Sequence, residues 1–143
     1  MIDIFHSYHV LVFQNDRVLL VKHGKNASHF SGVYGIPGGR SNLRESERQA
    51  ATRELAEETG IKVKIDDLKI FPKNTYTAFI KRKKGPSGNF TMKVFATNLF
   101  MGELKTNDEA EPVWVKISEL DNYNLLPNVK KAILIAQKSI TRP

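Results

Sequence analysis

Residues 39–61 read Gly39-Arg-Ser-Asn-Leu-Arg-Glu45-Ser-Glu-Arg-Gln-Ala-Ala-Thr-Arg53-Glu54-Leu-Ala-Glu57-Glu58-Thr-Gly60-Ile61. This stretch predicts a helix from about Ser46 to Thr59. Ser46 supplies a capping hydroxyl and Gln49, three residues on, its capping-box partner. Gly60 stands where a left-handed C-cap is wanted, and Ala51 and Leu55 form an apolar stripe at helical spacing. On that helix Glu54, Glu57 and Glu58 stand at i, i+3 and i+4, so three carboxylates project from one face. Like charges at this spacing repel by a few tenths of a kcal/mol per exposed pair. A hard divalent cation with oxygen ligands resolves that conflict, and magnesium held by a few carboxylates plus substrate phosphates is a common arrangement. Arg53 is placed to hold carboxylates through a bidentate contact. The Gly38-Gly39 turn just upstream lets a backbone carbonyl reach a metal without side-chain obstruction.

Working outward, Tyr8–Phe13 and Val18–Lys22 are β-branched and apolar around Asn15-Asp16, the pattern of a hairpin. Residues 24–35 read as a loop, and Ile36–Arg40 as a tight glycine turn. Strands are expected at Lys62–Phe71, Thr75–Lys83 and Phe90–Leu99, the last two joined by a turn at Gly85–Asn89. A short strand at Val113–Lys116, a helical turn from Ile117 to Leu120 and a helix over Asn128–Ser139 complete the pattern. Strands around one strong helix, with a second helix at the end, give a mixed α/β layered fold. With 143 residues, no repeat and no linker, one domain over 1–143 is expected.

The chain has no cysteine, which excludes disulfides, thiolate metal sites and cysteine nucleophiles. The start, Met1-Ile2-Asp3-Ile4-Phe5-His6, lacks the basic opening and apolar stretch of a signal peptide. The apolar runs at Val10–Phe13 and Val18–Val21 are too short to span a bilayer. A cytoplasmic protein without a membrane partner is therefore expected. Of the net charge of +7, all falls in residues 69–107, which hold eight Lys/Arg and one acid, Glu103. A localised basic segment suits an anionic partner such as a nucleotide or an RNA end. Lys81–Lys84 by themselves read as a solvated hairpin tip.

The segment 39–61 resembles the Nudix box, G-x5-E-x7-R-E-U-x-E-E-x-G-U with U aliphatic. Gly39, Glu45, Arg53, Glu54, Leu55, Glu57, Glu58, Gly60 and Ile61 fill every fixed position. Weaker similarity extends through Ile36-Pro37-Gly38-Gly39 and through Trp114-Val115 followed by Ser118-Glu119-Leu120. The resemblance implies a Nudix-like α/β/α sandwich with a mixed β-sheet, and a metal-dependent pyrophosphohydrolase using Mg2+, or Mn2+ in its place. Its substrate would be a nucleoside triphosphate or a nucleoside diphosphate derivative, a damaged nucleotide among them. By the same resemblance the carbonyl of Gly38 and the carboxylates of Glu54, Glu57 and Glu58 would hold metal. Glu54 would also be a candidate for activating water, although some members use a glutamate outside the box. Arg53 would orient the carboxylates, and Gly39, Glu45 and Gly60 would be structural. A further acidic ligand often precedes the tryptophan strand; Glu109 and Glu111 both lie there, and Glu109 is favoured as the freer of the two. Lys22 and Arg40 correspond to basic residues that contact phosphates. Many members form homodimers, so a homodimer is compatible with the resemblance. Two alternatives stand beside the leading reading: an RNA 5′-end pyrophosphohydrolase, and a non-catalytic nucleotide-binding module.

Other side chains read more plainly. His6, His9 and His23 lack a cysteine or acidic partner nearby in sequence and read as satisfied or exposed histidines. Trp114 reads as core, and Tyr34, Tyr76 and Phe79 as strand aromatics packed in the core. Asn128 reads as a helix N-cap.

Overall fold

A computed structural model describes residues 4–24 and 31–140. The part of the expected 24–35 loop at residues 25–30 lies outside the described residues, as do the first three and the last three positions. Strand β1 (Ile4–Gln14) turns at Asn15-Asp16 into β2 (Arg17–His23), with Phe13 opposite Val18 and Gln14 opposite Arg17. Asn15 takes the left-handed conformation (φ 54°) that a tight turn needs and that asparagine tolerates. Two short strands follow, β3 (Tyr34–Gly35) and β4 (Gly38–Gly39), and then helix α1 (Glu47–Thr59). β5 (Ile61–Lys62) leads by way of a 3-10 turn to β6 (Thr75–Ile80) and β7 (Gly88–Thr97). β8 (Met101–Gly102), β9 (Ala110–Lys116), a 3-10 turn at Ile117–Asn122 and helix α2 (Val129–Ile140) complete the order.

Seven of these strands form a mixed sheet. Its main path runs β3-β2-β1-β7-β6, with β4 also on β1 and β9 on β2. β1 and β7 run parallel from Ile4↔Asn89 to Val12↔Thr97, and the remaining pairs are antiparallel. The alternation of the central strands decides how the helices lie. On one face Val10, Val12, Leu19 and Phe95 pack with Ala51 and Leu55 of α1. On the other, Leu11, Phe13, Val18, Leu20, Val94 and Ala96 pack with Ala132, Ile133 and Ala136 of α2. Successive side chains on a strand point to opposite faces, so strands apolar on both faces need a helix on each. The result is the expected α/β/α sandwich.

One expected strand is corrected. Lys62–Phe71 is strand only at Ile61–Lys62; residues 65–67 form a 3-10 turn, and Lys69 keeps an isolated bridge to Ala96. Asp66 and Asp67 break the strand, because short acidic side chains pack poorly on a pleated surface. Leu68 and Phe71 are nonetheless buried and Ile70 is not. The loop thus anchors by single residues rather than by a ladder. At the β6–β7 hairpin the turn is shorter than expected at its far end, with β7 beginning at Gly88. Phe79 is 65% exposed on the edge strand β6 rather than core.

Candidate active site

Helix α1 has both of its expected caps. The Gln49 N–H donates to the Ser46 hydroxyl (3.1 Å) and the Ser46 N–H to the Gln49 side chain (2.8 Å). Gly60 closes the helix at φ 84°, its N–H donating to the Ala56 carbonyl. With both ends fixed, the face bearing Glu54 and Glu58 lies against β4. There the Gly38 N–H donates to the Glu58 carboxylate at 2.7 Å. A Cβ on Gly39 would stand 2.5 Å from the Glu54 carboxyl carbon, so any side chain here would displace the Glu54 carboxylate from its place beside Arg53. A Cβ on Gly38 would overlap the His9 ring and the Tyr8 carbonyl.

Arg53 organises the acids. It grips Glu45 with two bonds (2.7 and 3.0 Å), reaches Glu54 at 3.0 Å and both oxygens of Glu57 at 3.2 Å, and donates to the Arg40 carbonyl at 3.0 Å. The planar fork of a guanidinium suits such multiple contacts. Glu45 also accepts from the Asn42 N–H at 2.8 Å, tying the loop to the helix. Hydrogen bonding to Arg53 lowers the pKa of Glu45 and, in turn, raises that of Arg53.

The two inner acids behave in the opposite way. Burial raises the pKa of Glu54 against the pull of Arg53. Glu58 is pushed up to about 8, first by burial and then by the charges of Glu54, Glu109 and Glu57, against the Gly38 hydrogen bond. Removing a carboxylate from water and crowding it with others disfavours its charged form. Among the described residues no three acidic or histidine side chains close into a ready metal cage. The acids share one face, and the donors are all oxygen. That set fits a hard divalent cation that keeps waters and takes phosphate oxygens for the rest of its shell.

Glu109 joins Glu58, Gly38, Gly39 and Arg40 along a cleft of about 480 Å³. Sequence reading missed the residue that brings it there. The Asn107 side-chain carbonyl accepts from the backbone N–H groups of Glu109 (2.9 Å) and Ala110 (2.8 Å). Its amide donates to the carbonyls of Glu57 (3.2 Å) and Glu58 (3.4 Å). Asn107 thereby ties the Glu109 loop to the end of α1. The only sequence signal for it was its place between the basic segment and the acids.

Lys22 and Glu111 are not brought into this cleft. They sit opposite each other on β2 and β9 and line the neighbouring groove beyond Glu109. Strand alternation accounts for Lys22, since its neighbour His23 takes the cleft side.

The cleft runs on into an apolar cavity of about 100 Å³ bounded by His9, His23, Ile36, Tyr76, Met92 and Asn128, among others. His9 is held by contacts to the Ile36 carbonyl (2.9 Å) and the Ser7 hydroxyl (2.8 Å). Tyr76 is buried, yet among the described residues its enclosed hydroxyl has no hydrogen-bond partner. Asn128 departs from its N-cap reading in its backbone conformation. It stands at the N-cap position, its carbonyl accepting from the Ala132 N–H (2.9 Å), but it takes φ 69° rather than the usual extended backbone, and it lines the cavity. Trp114 packs against Phe100 beside the α1 cluster, and Tyr34 meets Tyr123 edge-on.

With the helix, the glycine loop and the acids in place, comparison with known proteins gives a definite result. The profile of the NUDIX domain matches residues 6–136.

This chain belongs to the Nudix family.

It is 29% identical over 119 residues to the ADP-ribose pyrophosphatase of Methanocaldococcus jannaschii, covering 83% of this chain and 62% of that protein. It is 33% identical over 117 residues to an oxidized purine nucleoside triphosphate hydrolase of Danio rerio, covering 78% of this chain and 65% of that one. The chain thus spans a little under two thirds of the length of each. In fold it is similar to a MutT Nudix hydrolase from Burkholderia pseudomallei, with a TM-score of 0.76 and 21% identity over 93% of this chain and 98% of that one. Nudix hydrolases generally require a divalent metal. No described helix is long and apolar enough to cross a membrane.

Proposed function

We propose that residues 1–143 act as one Nudix hydrolase domain, a metal-dependent pyrophosphohydrolase that cleaves a diphosphate linkage in a nucleotide. The substrate is a nucleoside triphosphate or a nucleoside diphosphate derivative, a damaged nucleotide among them, met in the cytoplasm. The observation that carries this reading is the shared helix face of Glu54, Glu57 and Glu58, with Glu54 and Glu58 laid against Gly38-Gly39 and Glu58 at the mouth of an apolar cavity. The two relatives named above, acting on ADP-ribose and on oxidized purine triphosphates, fall within the same substrate class.

In this reading Glu54, Glu57, Glu58, Glu109 and the Gly38 carbonyl hold the metal, Mg2+ or in its place Mn2+. When bound, a divalent cation lowers the pKa of water and neutralises charge on the leaving phosphate. Arg53 fixes the rotamers of Glu54 and Glu57, and Glu45 anchors Arg53. Glu54 takes the proton of the attacking water; the same burial that raises its pKa makes it a better base. Arg40, at the cleft, binds phosphate; Lys22, one groove away, meets substrate only if the ligand extends past Glu109.

A second reading, hydrolysis at an RNA 5′ end, is favoured by Arg82 and Lys84 of the basic segment, which line the cleft. One experiment tests both. The protein is incubated with magnesium or manganese and a panel of ordinary and oxidised nucleoside triphosphates, ADP-ribose, nucleotide sugars and triphosphorylated RNA. Released phosphate and pyrophosphate are followed, with Glu57→Gln as control. Metal-dependent turnover that falls by several orders of magnitude in the variant is expected. Tight nucleotide binding with no turnover on any substrate would instead make the chain a binding module.

A further inference from the structure

The mouth of the cleft holds a layered arrangement that none of the fixed box positions accounts for. Phe5 and Phe90 are register partners on the parallel strands β1 and β7, and their rings stack with centroids 4.9 Å apart. The Arg40 guanidinium lies 4.4 Å from the Phe5 ring centre, and that of Arg82 lies 5.5 Å from the Phe90 ring centre. Two cations therefore rest on a two-ring platform, and both line the cleft that contains Glu58 and Glu109.

A guanidinium that lays its face on a ring keeps its N–H groups in the plane, pointing away from the stack. Those donors need acceptors. The Arg82 Nε is enclosed and, among the described residues, has no hydrogen-bond partner, and neither side chain is in any of the ion pairs found among those residues. Burial and the nearby charge of Arg40 lower the pKa of Arg82, as follows when two cations share one space without an anion between them. Two cations that line a cleft and have no ion-pair partner among the described residues can take the charge of a ligand anion as their counter-charge.

The lining of the site gives the class of ligand. The apolar cavity and the cleft share His9, Gly38, Glu58 and Phe90, so they form one continuous path. Along it lie an apolar chamber, the carboxylates Glu58 and Glu109, and the two arginines. We propose that Arg40 and Arg82, mounted on Phe5 and Phe90, form an anion clamp for a phosphate of the substrate. This rests on the pyrophosphohydrolase reading and narrows it. Two guanidinium groups in the cleft favour a substrate rich in phosphate charge, a nucleoside triphosphate or longer polyphosphate over a nucleoside diphosphate with a neutral sugar.

The test is binding of inorganic tripolyphosphate in the absence of metal, followed by titration calorimetry on the full chain. Wild type is compared with Arg82→Gln and with Lys81→Gln, which removes the same charge from an exposed site outside the cleft. Wild type is expected to bind, with affinity reduced about tenfold or more in Arg82→Gln and little changed in Lys81→Gln. Arg82→Lys, which keeps the charge but loses the planar fork, is expected to recover only part of the affinity. Equal binding by wild type and Arg82→Gln, equal losses in the two glutamine variants, or no binding by wild type would overturn the clamp. Failure of the pyrophosphohydrolase reading would look different: tripolyphosphate bound through Arg82, but no metal-dependent turnover of any nucleotide.

Discussion

At the scale of single residues, Glu58 shows how burial turns a box position into a titrating group. Its pKa is raised from 4.5 to about 8 by burial and by neighbouring carboxylates. A carboxyl raised in the fold favours the protonated folded state. Its stabilising effect is fully present below the unfolded value and is lost as pH rises through the folded one. The metal-free protein is therefore expected to melt at progressively lower temperature as pH rises from about 5 to 8. Glu58→Gln should flatten that slope, and thermal melts in chelator across the interval check it. Over the same interval divalent cation affinity should rise, because the proton competes for the same oxygen. Parallel slopes for wild type and Glu58→Gln would show that Glu58 does not carry the effect. The sequence placed this glutamate on a face with two others. It did not say which of the three would be drawn inward, since that depends on the Gly38 N–H reaching back from β4.

At the scale of elements, α1 was legible end to end, because its caps and stripe are local chemistry. Gly60 matters beyond capping. At φ 84° a side chain is strained whatever the space, and here a Cβ would also meet the Glu103 carbonyl of the facing segment. Gly60→Ala is expected to destabilise the fold by at least about 1 kcal/mol, the cost of left-handed backbone for an L-residue. Urea denaturation would read this as a lower midpoint with an unchanged slope. An unchanged midpoint would mean that the β5–β8 pair relaxes around the added methyl. The stretch 62–71 differs from a strand because the alternation begun by Val63 and Ile65 stops at Asp67, and what sets the backbone there is the Asp66-Asp67 break and docking of Leu68 and Phe71. Asn107 escaped notice for a related reason. A polar residue in a loop shows its use only when the two segments it joins, the end of α1 and the Glu109 turn, are brought together.

At the scale of the whole molecule, the net charge of +7 originates in residues 69–107, and part of that charge, Arg82 and Lys84, reaches the cleft. A positive rim raises the local concentration of an anionic substrate and is screened by salt. Raising salt is therefore expected to increase KM for a nucleoside triphosphate more than it lowers kcat. Steady-state kinetics at several salt concentrations measures this, and a salt-insensitive KM would remove the rim from substrate capture.

The order of amino acids alone was enough for the helix with both caps, the three acids on one face and the glycine turn before them. These depend on neighbours a few residues apart, where periodicity and capping act. What needed the folded chain was the Asn107 bridge that seats the already favoured Glu109 at the cleft, the place of Lys22 one groove away, the left-handed backbone of Asn128 beside a cavity, and the meeting of Arg82 with Arg40 over a pair of rings. Each of these follows from strand register and loop closure, which place residues from distant parts of the chain side by side and leave no local trace in the order of amino acids.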